Sequence, residues 1–74
     1  MELIEFLAKS LVDHPEAVEV THRIEGDTDV YELKVAPDEM GKVIGKQGKI
    51  AKAIRTLARA ASAKESRRVN VEIL

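Results

Sequence analysis

Three short segments of this chain alternate apolar and polar residues, and the stretches around them repeat at helical spacing. Residues 17–24 set Val18, Val20 and Ile24 on one side and Glu19, Thr21 and Arg23 on the other. Residues 30–36 set Tyr31, Leu33 and Val35 inward, and residues 69–74 do the same with Val69, Val71 and Ile73. A period of two with one wet face is the pattern of a sheet strand. The "EGDTD" turn signal at 25–29 is short enough to make the first two strands a hairpin. Before them, residues 2–13 carry Ile4, Leu7, Ala8 and Leu11 as a helical stripe that His14-Pro15 stops. After them, Pro37-Asp38 opens a short helix with Asp38 as its N-cap and Met40, Val43 and Ile44 as its apolar face. Gly45 closes that helix as a left-handed cap, and Gly48 precedes a longer helix at 49–63. A basic loop, "KESRR" at 64–68, leads to the last strand. The expected order is α-β-β-α-α-β in one domain, residues 1–74.

Size limits what such a chain can do alone. A domain of 74 residues buries only about 60% of its unfolded surface. There is no cysteine to staple it. Self-association is one way for so small a domain to gain stability. The absence of cysteine suits a reducing cytoplasm. No basic leader with a long apolar core and no apolar run of membrane-spanning length is read, so secretion and membrane insertion are not expected.

The net charge of −1 conceals a division. Residues 1–40 hold three basic residues against eleven acidic ones, a balance of −8, and residues 41–74 hold nine against two, a balance of +7. Such asymmetry points to a polyanion-binding half, although solvated helix faces also scatter charge. The basic half contains "GKVIGKQGKI" at 41–50, with three of the four glycines. In the helix that follows, Ile50, Ala53, Ile54, Leu57 and Ala61 fall on one side, expected to face the sheet. Lys49, Lys52, Arg55 and Arg59 fall on the other as a stripe. At its start sits Gly45-Lys46-Gln47-Gly48. Free N–H groups at a helix start, flanked by residues with no side chain, let a phosphate reach the backbone. A plain tight turn between two helices would also use glycine.

"VIGKQGKI" resembles the V-I-G-x-x-G-x-I signature of KH domains, whose G-x-x-G loop clamps the backbone of about four nucleotides. The element order resembles the type II arrangement, and the whole chain resembles the small bacterial single-KH RNA-binding proteins of the KhpA type. That resemblance implies an α+β, two-layer fold in which a three-stranded sheet packs against three helices. It implies single-stranded RNA as ligand, with single-stranded DNA open, and a role in post-transcriptional regulation. It also implies a homodimer, or a heterodimer with a larger KhpB (Jag-like) protein. Carried onto this sequence, the binding residues are Lys42, Ile44, Gly45, Lys46, Gln47, Gly48, Lys49, Lys52, Arg67 and Arg68. Of the apolar positions beside the clamp, Val43, Ile44 and Ile50, some line the groove and some are core.

Other chemistry finds little footing. The spacing fits neither a phosphate-binding Walker loop nor G-x-G-x-x-G. His14 and His22 have no partner in a ligand motif, so no metal, cofactor or catalytic residue is expected. Asp27 and Asp29 read as turn residues. Phe6 lies off the first helical stripe, where it either widens the core face or contacts a partner. Aromatic residues are only 3% of the chain, which argues against modules that stack bases on rings. Two functions remain: a non-enzymatic module binding single-stranded RNA, and an interaction subunit that works by docking on a KH-containing partner.

Overall fold

The computed structural model describes residues 1–74. Its elements are α1 (Glu2–Leu11), β1 (Glu19–Glu25), β2 (Thr28–Lys34), α2 (Met40–Ile44), α3 (Lys49–Ala61) and β3 (Arg68–Ile73), with 3-10 turns at Pro15–Ala17, Pro37–Glu39 and Lys46–Gly48. The order is the α-β-β-α-α-β read from the sequence, and the fold class is α+β. β2 is central: β1 pairs with it antiparallel and β3 parallel. The hairpin turn is only Gly26-Asp27, and Asp29 belongs to β2 and not to the turn. Gly26 has φ +59° while Asp27 has no positive φ, as a two-residue loop with glycine first requires. The parallel pair needs a crossover, which α2 and α3 supply.

One sheet face meets the helices. Ile4, Ala8 and Val12 from the first helix and its end, Val43, Ile54, Ala58, Leu33, Val35, Val69 and Val71 form one buried cluster. No buried side-chain N or O atom lacks a hydrogen-bond partner.

The helix stripes are rotated from the sequence expectation. In α3 the buried positions are Ala51, Ile54 and Ala58, whereas Ala53, Leu57 and Ala61 are exposed. Alanines let the helix lie close to the sheet, and Leu57 is turned to the flank. In α1 Leu11 is likewise pushed to the rim by Val12, and Phe6, 67% exposed, widens no core. Ile24, expected inward, is 66% exposed because the hairpin tip runs past the helical layer.

Two carboxylates behave unlike the sequence reading. Asp38 caps nothing; it lies inside the 3-10 turn Pro37–Glu39. The next residue, Glu39, is buried and accepts the backbone N–H groups of Asp13 and His14, while Lys42 donates to it at 3.2 Å. It ties the chain leaving α1 to the start of α2. Asp29, also buried, accepts from Arg67 Nε at 3.0 Å and lies 2.9 Å from His22 Nε2. His22 therefore does have a carboxylate partner, and its ring stacks on Tyr31 at 4.6 Å.

Candidate nucleic-acid interface

The α2–α3 connection is built on unusual backbone angles. Gly45 has φ 75° and ψ 174°, so it is not the left-handed cap expected but lies in a region essentially reserved for glycine. A Cβ there would sit 2.6 Å from Ile50 Cγ1. Gln47 (φ 58°, ψ 23°) and Gly48 (φ 74°, ψ 15°) are left-handed. The Gly45 carbonyl accepts the Gly48 N–H at 3.1 Å, closing the turn. The result presents Lys46 and Gln47 to solvent at the start of α3, where a Cβ on Gly48 would meet nothing within 4 Å. A strained non-glycine residue between two glycines, at the positive end of the α3 dipole, is a surface that an anion can approach.

α3 has three sides rather than two. The buried side is Ala51, Ile54 and Ala58. One flank, with Ile50, Ala53 and Leu57, faces Leu7 and Leu11 of α1 across an apolar groove of about 320 Å³. The other flank carries Lys52, Arg55 and Arg59 toward the open edge of β3, where Arg55 Nε donates to the Val71 carbonyl at 3.1 Å. Lys46, Lys49, Lys52 and Arg59 form no ion pair. At the far end of this flank, Arg59, Arg67 and Arg68 border a polar recess of about 380 Å³.

The sequence model of the KhpA/KhpB KH domain matches residues 1–73. The chain belongs to the KhpA/KhpB KH-domain family. It is 58% identical over 73 residues to the RNA-binding protein KhpA of Clostridium perfringens, covering 99% of this chain and 97% of the relative. It is 59% identical, with the same coverage, to the RNA-binding protein KhpA of Caldanaerobacter subterraneus. Among solved structures, Aquifex aeolicus Era bound to GDP and aluminium fluoride superposes with TM-score 0.67 and 23% identity, over 97% of this chain and 28% of that longer one. The fold is thus a KH fold.

Within this KhpA/KhpB domain the expected site residues divide into groups. Gly45, Lys46, Gln47, Gly48 and Lys49 are contiguous, Ile44 is half-buried just before them, and Lys52 continues the line one turn into α3. Lys42 is engaged elsewhere: its ammonium holds Asp13 at 2.6 Å and Glu39 at 3.2 Å. The Asp13 and Glu39 partners raise its pKa, and Lys42 lowers that of Asp13 in turn. Arg67 is committed to Asp29, whose pKa it lowers together with His22. Arg68 is free apart from Asp27 at 3.8 Å. Both arginines lie beyond the C-terminal end of α3, which at 13 residues spans about 20 Å. The Lys42–Asp13 and Arg67–Asp29 pairs join residues 29 and 38 apart, so no local pattern announced them. Arg59 was legible as part of the basic stripe, but its place at the recess was not.

Proposed function

We propose that the chain is a non-enzymatic module that binds single-stranded RNA, its backbone held at Gly45–Gly48 and its phosphates drawn along the basic flank of α3. The observation that carries this reading is the clamp itself: a glycine-bounded turn with Lys46 and Gln47 outermost, unpaired positive charge beside it, and a helix start beneath it. The relatives named RNA-binding proteins support the ligand class. The cell's cytoplasm is the compartment where such a chain would meet RNA and act after transcription. No helix is long and apolar enough to cross a membrane.

The test is Lys46→Asp with Gln47→Asp. Both side chains are exposed, and Asp tolerates the left-handed backbone at position 47. The fold should persist while affinity for single-stranded RNA falls sharply, because two carboxylates would stand where a phosphate must approach. Wild-type binding should weaken with salt at a slope near −3 if about four phosphates are neutralised. Unchanged affinity with a native circular dichroism spectrum would overturn the clamp assignment.

A second reading, docking on another KH-containing chain, is favoured by the apolar groove between α1 and α3, whose Leu57 and Leu11 are 47% and 39% exposed. A second copy or a KhpB-type protein would cover it. The two readings meet at Lys49, which lines the groove, and otherwise use different sides of α3.

A further inference from the structure

The recess at the far end of α3 is chemically unlike the clamp. It is formed where the end of α3, the loop before β3 and the start of β2 meet, with Arg59, Ser62, Arg67, Arg68, Asn70 and Thr28 on its walls. Three guanidinium groups converge there, and their states differ. Arg67 is neutralised by Asp29 at 3.0 Å and donates weakly to the Gly26 carbonyl at 3.4 Å. It is part of the fold. Arg59 forms no hydrogen bond or ion pair through its side chain. Arg68 is 83% exposed and only loosely paired with Asp27, at 3.8 Å. Asp29, the other acid at hand, already serves Arg67 and His22. Two guanidinium forks are therefore available at a recess whose remaining polar walls are hydroxyl and amide groups.

We infer that Arg59 and Arg68 form a second phosphate site for the RNA strand, about 20 Å from the clamp along α3. The inference rests on the RNA-binding reading and extends it from a clamp to a track. Arginine forks match the paired oxygens of a phosphate. No aromatic ring lines the recess, so it offers a base nothing to stack on and suits backbone instead. Lys52 lies on the flank between the clamp and the recess, so a strand leaving the clamp along that side meets a further positive charge on the way. The loop holds about four nucleotides, so only a longer strand reaches the recess.

The experiment compares wild type with Arg59→Gln/Arg68→Gln, and with Arg68→Gln alone, on mixed-base RNA pools of four and ten nucleotides. Circular dichroism verifies the fold, and the single variant, at a side chain 83% exposed, keeps the test open if the pair disturbs it. The double variant should bind the ten-nucleotide pool roughly tenfold more weakly, the size of one charge-assisted contact. Its salt slope on that pool should be smaller by about 0.7. Its loss on the four-nucleotide pool should be several-fold smaller than on the ten-nucleotide pool, because the clamp alone spans about four nucleotides. Equal affinity of variant and wild type for both pools, with wild type binding both, removes the second site and leaves the clamp standing. Wild type binding neither pool removes the RNA reading and this site with it. Inorganic phosphate is the probe for a free-anion pocket. If it saturates amide shifts at residues 62–70 while the variant keeps full ten-nucleotide affinity, the strand assignment is overturned.

Discussion

Gly45 and Gly48 look equivalent in the sequence, yet the structure asks different things of them. Gly45 combines a glycine-only backbone with a Cβ position 2.6 Å from Ile50 Cγ1 and 2.9 Å from Ile50 Cβ. Those atoms lie near the Ile50 backbone and have little room to yield. Gly48 needs only the left-handed conformation, in open space. Gly41 needs neither: its φ is not positive and a Cβ would meet nothing. We expect Gly45→Ala to cost more than the roughly 1–3 kcal/mol of backbone strain alone. Gly48→Ala should cost about 1–2 kcal/mol. Gly41→Ala, inside α2, should stabilise by up to about 1 kcal/mol. Urea unfolding of the three variants checks the order, and an equal cost at 45 and 48 would contradict the close approach to Ile50. The motif was legible as a turn with glycine at both ends. Which glycine is irreplaceable was not, because the answer depends on how the first turn of α3 folds back over the loop.

At the scale of elements, strand and helix order was readable because each segment keeps one period and is bounded by proline, glycine or a charged turn. The facing of the helices was less readable. A two-sided wheel places Leu57 in the core because leucine outweighs alanine on any hydrophobicity scale. The structure buries Ala51 and Ala58 instead, since small residues bring α3 close to the sheet, and leaves Leu57 to a flank. Polar anchoring between elements was not readable either. Glu39 holds two N–H groups at the end of the first helix, yet nothing near it in sequence marks it as buried. Burial pushes its pKa up, but the Asp13 N–H, the Lys42 ammonium and the His14 N–H outweigh that, and its net shift is downward. Asp29 is also shifted down, by Arg67 and then His22. A carboxylate whose folded pKa is depressed stabilises the protein above its unfolded pKa, near about 4, and loses that contribution as pH falls through the folded value. Stability should therefore decline on acidification below about pH 4. Glu39→Gln should be less stable than wild type at neutral pH, and the gap should close as the medium becomes acidic. Thermal melts across that range measure it; a gap independent of pH would show that the carboxylate charge contributes nothing.

For the molecule as a whole, folding pairs part of the acidic half with the basic half, through Lys42, Arg67 and Arg68, and part of it within itself. Arg23 alone meets Glu25, Glu32 and Glu72 on the sheet's outer face, and Lys9 meets Glu5 on α1. Lys46, Lys49, Lys52 and Arg59, at the turn and along α3, form no ion pair, so a net charge of −1 is no bar to a local anion-binding surface. The same packing leaves apolar surface on the opposite flank, where Leu57 and Leu11 line the groove between α3 and α1. Phe6 stands one turn before Ser10, which also lines that groove. Ala58, at the edge of that helix's apolar face by the wheel, is fully buried and can contact no partner. The sheet's outer face, crowded with ion pairs, is a poor dimer surface. A standard interface takes about 800 Å² from each partner. That is roughly one sixth of this chain's 4891 Å², more than the groove alone offers. We therefore expect a helix-mediated homodimer of modest affinity, centred on Leu57 and Leu11. Leu57 lies about 12 Å along α3 from Lys49, far enough to leave Gly45–Gly48 open to RNA. Leu57→Lys should lower the light-scattering mass to that of a monomer, with an unchanged circular dichroism spectrum and unchanged affinity for a four-nucleotide RNA. Wild type that is already a monomer at about a hundred micromolar, a free energy near −5.5 kcal/mol, would refute the dimer. A dimer that Leu57→Lys leaves intact would instead move the interface away from the groove.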